Sequence, residues 1–194
     1  GGEIGEICVH GASVTPGYLN DRWETDTKPH DTKPHDTKPH DTKPHDTKVL
    51  LGGKYYFRTG DLGFVHNGEL FITGRQKDMI ILAGRNIFPD DIEKVVETSH
   101  DGIRRGRSIA FSTCVDGEER LVVVAELNTK AQKTGQGEIE NAMRIAIAKK
   151  AQVALYEVWL VRSGELPRTL SGKKQRQKCA AMYSKHQDPT HSNR

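Results

Sequence analysis

The chain has 194 residues, 29 of them basic and 26 acidic, for a net charge of +3, and 35% of them are apolar. That length admits one or two domains, and the near-neutral balance excludes a strongly basic nucleic-acid arm or an acidic tail as the main theme. No apolar run approaches the roughly 18–20 residues that span a bilayer, and Cys8, Cys114 and Cys179 are too scattered for a disulfide framework or a zinc knuckle.

A reducing, cytoplasmic compartment is the expectation from that cysteine usage, and no secretory signal is visible. The chain opens Gly1-Gly2-Glu3 and its first methionine is Met79, so it reads as part of a longer protein.

In chain order, Glu3 to Val9 alternates polar and apolar, which predicts a strand with Ile4, Ile7 and Val9 buried. Residues 26–48 read DTKPH four times and then DTK. With no apolar residue and a proline in every repeat, this stretch is expected to be a disordered insertion. Its four histidines could bind a metal only loosely, so no metal site is expected. Phe64-Val65-His66 and Glu69 to Thr73 flank Asn67-Gly68, a strong hairpin signal. Met79 to Leu82 predicts a short apolar strand. Pro89 opens a helix, with Asp90, Asp91 and Glu93 in its first turn and Ile92, Val95 and Val96 as its buried stripe.

A second hairpin is expected from Ser108 to Val115 and Arg120 to Leu127, turning at Asp116-Gly117. Glu138 to Ala151 reads as a helix with Ile139, Ala142, Met143 and Ala146 on one face. Val158 to Val161 reads as a strand. Ser171 is expected to open a last helix to about Tyr183, and 184–194 to be a disordered tail. From residue 79 the order is β-α-β-β-α-β-α, a small α+β domain. Residues 1–76 look like the β-rich end of another domain, and 77–183 like the α+β domain, with the boundary near Arg75 to Asp78.

Charge is uneven along the chain. Residues 161–194 carry eight basic and two acidic residues, net +6, and the remainder carries −3. A basic C-terminal segment could serve phosphate chemistry or an acidic partner, but charge alone favours a solvated helix face. Nucleic-acid binding is not expected, because aromatic residues are only 6% and none interleaves with the basic run.

Four stretches stand out together: Gly2-Glu3-Ile4-Gly5-Glu6-Ile7 with Gly17-Tyr18-Leu19-Asn20; Tyr56-Phe57-Arg58-Thr59-Gly60-Asp61; Gly74-Arg75-Gln76-Lys77-Asp78 with Gly84-Arg85-Asn86 and Pro89-Asp90-Asp91-Ile92-Glu93; and Leu166-Pro167-Arg168-Thr169-Leu170-Ser171-Gly172-Lys173-Lys174-Gln175-Arg176. Singly they say little. Thr-Gly-Asp alone reads as a turn. Ser-Gly-Lys-Lys lacks the first glycine of a phosphate loop, because Pro167 stands where it is required.

In this order the four resemble the adenylate-forming superfamily of acyl-CoA synthetases, luciferases and peptide-synthetase adenylation domains. Within it, Gly84-Arg85-Asn86 through Glu93 and Asp116 through Val124 look most like fatty acyl-AMP ligases. The chain departs from the superfamily pattern at Leu170 and Lys174, and from the ligase subgroup at Ala83 and Ile87-Phe88.

The resemblance implies an enzyme that joins a fatty acid to AMP from ATP, with Mg2+ on the phosphates. The acyl group would then pass to the phosphopantetheine thiol of an acyl carrier protein, or to CoA. It further implies that Asp61 grips the ribose hydroxyls and that Arg75 lies near ribose and phosphate. Lys77 would be the hinge of a mobile C-terminal domain, and Lys173 the catalytic lysine bridging acid and α-phosphate. Lys174 and Arg176 are expected to strengthen the field around Lys173. An ionised carboxylate can accept two hydrogen bonds side by side, and an ammonium on a long stem is a compact point charge with three donors. The superfamily's large N-terminal domain, with its phosphate loop and acyl tunnel, is not in this sequence, so these residues alone are expected to be inactive. A non-catalytic remnant that docks partners is the alternative from a different class.

Overall fold

A computed structural model describes residues 2–14, 48–129, 131 and 135–187. Tyr18-Leu19-Asn20, the repeat up to residue 47 and residues 188–194 lie outside the described residues. The chain divides into two compact units, Gly1–Gln76 and Lys77–Arg194.

The first unit is a four-stranded antiparallel sheet of β1 (Gly5–Val9), β2 (Lys48–Leu51), β3 (Lys54–His66) and β4 (Glu69–Arg75). The long β3 is its spine. β1 pairs along one edge, and β2 and β4 follow each other along the other. Two turns make the hairpins. Asn67-Gly68 (φ 51° and 82°) and Gly52-Gly53 (φ 56° and 77°) both lie left-handed at both positions, which matches the twist of the flanking strands. Lys48, the last residue of the repeat, already belongs to β2.

Burial in this sheet is slight. Ile4 and Val9 are exposed, and Ile7 is only half-buried, which corrects the expected buried set. Alternation alone sorts side chains onto two faces, but a face is buried only when another layer covers it. Among the described residues this unit contains no helix.

A single 3-10 turn, Gln76–Asp78, leads into the second unit. β5 (Ile80–Leu82) and β6 (Arg85–Ile87) form a two-stranded hairpin. Its turn, Ala83-Gly84, is again left-handed at both positions, with φ 49° at Ala83. α1 (Pro89–Glu97), β7 (Ile103–Val115), β8 (Glu118–Leu127), α2 (Gln136–Lys150), β9 (Leu155–Val161) and α3 (Arg176–Gln187) follow. This is the mixed α+β architecture expected from the sequence, with β6 as an added strand.

β7 and β8 are antiparallel, turning at Asp116-Gly117 as expected, and β9 runs parallel to β8 after the α2 crossover. Both faces of this sheet are covered, and strand alternation divides the core in two. Ala110, Leu121, Val123 and Ala125 face α1 and α2, meeting Ile92, Val96, Ile139, Met143 and Ile147. Ile109, Phe111, Val122 and Val124 face Cys179 and Tyr183 of α3. A strand covered on both sides should read as a continuous apolar run, and Leu121 to Leu127 is buried throughout.

α3 differs from expectation at both ends. It begins at Arg176, not Ser171, because Gly172 is left-handed (φ 81°) and Thr169 N–H bonds back to the Lys173 carbonyl at 2.9 Å. That contact closes a loop where a helix would need the opposite hydrogen-bond pattern. At the far end, Ser184 to Gln187 are helical and not part of a disordered tail. His186 stacks on Trp159 with ring centroids 4.8 Å apart, and Gln187 Nε2 donates to Glu157 Oε1 at 2.5 Å, so this last turn has partners on β9.

Candidate functional site

Two clusters carry the sequence-selected residues, one in each unit. In the first, Thr59-Gly60-Asp61 is not a turn but a bulge within β3. Glu6 pairs with Leu62 and Cys8 with Arg58, so three residues of β3 stand opposite Ile7 alone. Such a bulge bends the strand and re-aims its side chains. Gly60 supplies the left-handed φ of 71° that it needs. Thr59 pins it: its hydroxyl donates to the Ile7 carbonyl at 2.8 Å and accepts from Asp61 N–H at 3.0 Å. Glu6 holds the other side, accepting from Gly60 N–H at 3.3 Å and from Arg58 Nε at 2.7 Å.

Asp61 stands directly across from Arg75 on β4, and Arg75 Nε donates to its Oδ1 at 3.0 Å. Both side chains keep solvent access, 33% for Asp61 and 54% for Arg75. The second carboxylate oxygen has no partner among the described residues, so the group retains acceptor capacity for a pair of vicinal hydroxyls.

The second cluster is the loop from Leu166 to Gln175. It is a small antiparallel closure, with Arg168 bridged to Lys174 and Gln175 N–H donating to the Pro167 carbonyl at 3.2 Å. Gly172 N–H bonds the Thr169 carbonyl at 2.9 Å, and Lys173 N–H bonds Thr169 Oγ1 at 3.0 Å. Lys173 sits at the exposed tip, and its ammonium has no partner among the described residues. Arg168 Nη1 donates to the Gly172 carbonyl at 2.7 Å, while its shielded Nε and Nη2 have no partner among the described residues. Lys77 is exposed in the 3-10 turn.

Lys174 and Arg176 do not strengthen a field at the loop tip, contrary to expectation. Both turn inward onto Glu93 of α1, a carboxylate only 1% exposed, and pair with its two oxygens. Ala110 N–H of β7 donates to the same Glu93 at 2.9 Å. Arg176 also pairs with Asp90 at 2.6 Å and reaches Asp78 at 3.6 Å. Burial pushes the Glu93 carboxyl above its usual range, against the pull of Arg176 and Lys174. For Arg176 burial works downward, but Glu93, Asp90 and Asp78 outweigh it and hold the guanidinium charged. Two cations thus meet three carboxylates, and their charge is spent locally.

A second buried carboxylate anchors the loop's other end. Glu126 of β8 is fully buried, accepts from Leu166 N–H at 3.2 Å, and pairs with Arg104 at 2.7 Å. Sequence reading missed both anchors. Glu93 lies in a signal that was present: Pro89, Ile92, Glu93 and Val96 follow the i, i+3, i+4, i+7 stripe, which places it on the buried face. Glu126 interrupts the apolar run Leu121 to Leu127.

The three cysteines are free, and Cys179 is buried, with burial pushing its thiol up to about 12. Among the described residues no three His, Cys, Asp or Glu side chains converge on a metal position. No helix among them is long and apolar enough to cross a membrane.

Residues 77–193 match the Disco-interacting protein 2-like AMP-domain family. The chain belongs to that family, within the adenylate-forming enzymes. It is 38% identical over 182 residues to the medium-chain-fatty-acid–[acyl-carrier-protein] ligase JamA of Moorena producens, an alignment covering 93% of this chain and 28% of JamA. It is 33% identical to the long-chain-fatty-acid–AMP ligase FadD32 of Mycolicibacterium smegmatis, over 94% of this chain and 31% of that relative. Among solved structures, a fatty acyl-adenylate ligase from work on the E. coli and L. pneumophila enzymes superposes with a TM-score of 0.67 at 28% identity, covering 94% of this chain and 28% of that one. The chain thus spans under a third of the relatives it matches.

Proposed function

We propose that these residues form the C-terminal part of a ligase that activates a fatty acid with ATP and hands the acyl group to a thiol. In the first step an oxygen of the acid attacks the α-phosphorus, the bond to the β-phosphate breaks, and pyrophosphate leaves. In the second the thiol attacks the acyl carbonyl and AMP leaves.

Lys173 carries the reading. It is an unpartnered ammonium held at the tip of a hydrogen-bonded loop, suited to neutralise charge that builds at the α-phosphorus. Asp61 would receive the ribose hydroxyls beside Arg75. Lys77, in the turn where the two units meet in sequence, would be the hinge between half-reactions. Mg2+ would sit on the ATP phosphates, held by groups other than those described. The ligase names of JamA and FadD32 support a fatty-acid substrate, and that of JamA supports a carrier-protein thiol as acceptor.

The test is ATP–pyrophosphate exchange with a panel of fatty acids, in a chain that joins these residues to an upstream AMP-binding domain. The expected result is exchange that Lys173→Ala abolishes, followed by acyl transfer to a carrier protein in preference to CoA. The 194 residues alone should show no exchange, because positioning of both ATP and acid would be lost. Well-folded longer protein without exchange would refute the ligase reading and favour a non-catalytic docking module.

A further inference from the structure

The residue after Lys173 is the informative one. Lys174 is not at the tip with its neighbour: only 24% of its side chain is exposed, and its ammonium pairs with Glu93, buried at 1%. Glu93 itself cannot swing, because Ala110 N–H and Arg176 hold it as well. Lys174 also forms the antiparallel bridge with Arg168, so its backbone is extended at that point. Consecutive side chains of extended backbone leave on opposite faces. Drawing Lys174 inward therefore turns Lys173 outward.

We propose that the Lys174–Glu93 ion pair is the positioning device for Lys173, and that Lys174 takes no direct part in the chemistry. A buried ion pair is a poor source of stability compared with a packed apolar pair. What it supplies here is direction: the pair fixes which of two adjacent lysines faces the substrate. The cluster extends the constraint to Asp78 through Arg176, so the lysine loop and the segment next to Lys77 share one set of charges. This inference rests on the reading that Lys173 meets the α-phosphate.

Two measurements test it. In the 194-residue chain, residue-resolved amide exchange compares wild type with Lys174→Met and Lys174→Arg. The Gly172 and Lys173 amides, which donate to Thr169, should exchange roughly tenfold faster in Lys174→Met, while Ala110 and the α1 amides stay within about twofold. Lys174→Arg should restore the wild-type rates. Unchanged rates at 172 and 173, or equal acceleration through α1 and β7, would overturn the positioning role.

In the longer ligase, Lys174→Met should lower kcat for ATP–pyrophosphate exchange about 10- to 100-fold with the KM for ATP nearly unchanged. Transfer from supplied acyl-adenylate should be unaffected, and Lys174→Arg should recover exchange. If Lys173→Ala abolishes exchange but Lys174→Met does not alter it, the positioning role is refuted. If Lys173→Ala leaves exchange intact, the lysine reading on which this inference stands is refuted instead, and the amide data separate the two failures.

Discussion

Glu126 offers the sharpest test of how the lysine loop is anchored. The carboxylate is fully buried in β8 and has two partners among the described residues, Arg104 at 2.7 Å and Leu166 N–H at 3.2 Å. Arg104→Met would leave it buried with one neutral donor. Stripping the partner from a buried charge costs about 3–5 kcal/mol. Arg104 is itself 36% exposed, which lets water reach the vacated position, so the lower end of that range, roughly 3 kcal/mol, is expected. Glu126→Gln should cost less, about 1–2 kcal/mol, because Arg104 can turn to solvent and the amide can still accept from Leu166.

The double variant should then cost about as much as Glu126→Gln alone, giving a coupling of about 3 kcal/mol, the whole cost of Arg104→Met. Urea unfolding checks it, followed by far-UV circular dichroism and by Trp159 fluorescence in a Trp23→Phe background. Simple additivity within about 0.5 kcal/mol would refute the reasoning, since it would mean that Arg104 and Glu126 contribute separately.

Three further outcomes follow from particular residues. Cys179 has a folded-state value near 12 against an ordinary 9.0, so the folded state keeps a proton that the unfolded state loses above pH 9. Its contribution is whole below pH 9 and falls by roughly 1.4 kcal/mol per pH unit toward pH 12. Cys179→Ala should flatten that alkaline decline in urea titrations, and an unchanged slope would contradict it. At Gly63 an added Cβ would lie 2.5 Å from the Phe71 carbonyl and 3.0 Å from Ile7 Cδ1, wedged between β1 and β4. Gly63→Ala should therefore destabilise the first unit by about 1–3 kcal/mol, read as a lower urea midpoint. Ala83 is a non-glycine residue at φ 49° in the β5–β6 turn. Ala83→Asn should stabilise by about 0.5–1 kcal/mol and Ala83→Val should destabilise, read as opposite shifts in Tm.

That turn also shows where the sequence was legible. Asn67-Gly68 and Asp116-Gly117 announce their hairpins, because Asn, Asp and Gly tolerate the left-handed backbone that a two-residue turn requires. Ala83-Gly84 makes the same turn with a residue that disfavours it, and so β6 went unread. The apolar stripes of α1 and α2 were legible because helical spacing reports a buried face directly. Ile147 extends the α2 stripe, while Ala142 and Ala146 lie only half-buried at its margin. The Thr-Gly-Asp motif was legible as chemistry but not as geometry. Nothing local distinguishes a turn from a bulge whose extra residues are counted against Ile7, 52 positions away from Thr59. The start of α3 failed for a related reason. Ser171 offers a cap, but the hydrogen bonds of Thr169 compete for the same backbone and win.

The field expected around Lys173 is where the structure departs most instructively. The resemblance implied that Lys174 and Arg176 strengthen it, in a segment that carries +6 over 161–194. In the fold, Lys174 and Arg176 are turned onto Glu93, with Asp90 and Asp78 adding further negative charge beside Arg176. Summed charge along a sequence says nothing about which cations are already paired, and pairing is decided by residues some 80 positions away. The result is a loop whose two ends are tied to buried carboxylates, Leu166 to Glu126 and Lys174 to Glu93. On the proposed reading, in which Lys173 meets the α-phosphate, an ammonium that no carboxylate neutralises keeps its charge for that anion. Holding Lys174 away from the tip leaves Lys173 as the one lysine of that adjacent pair able to reach out.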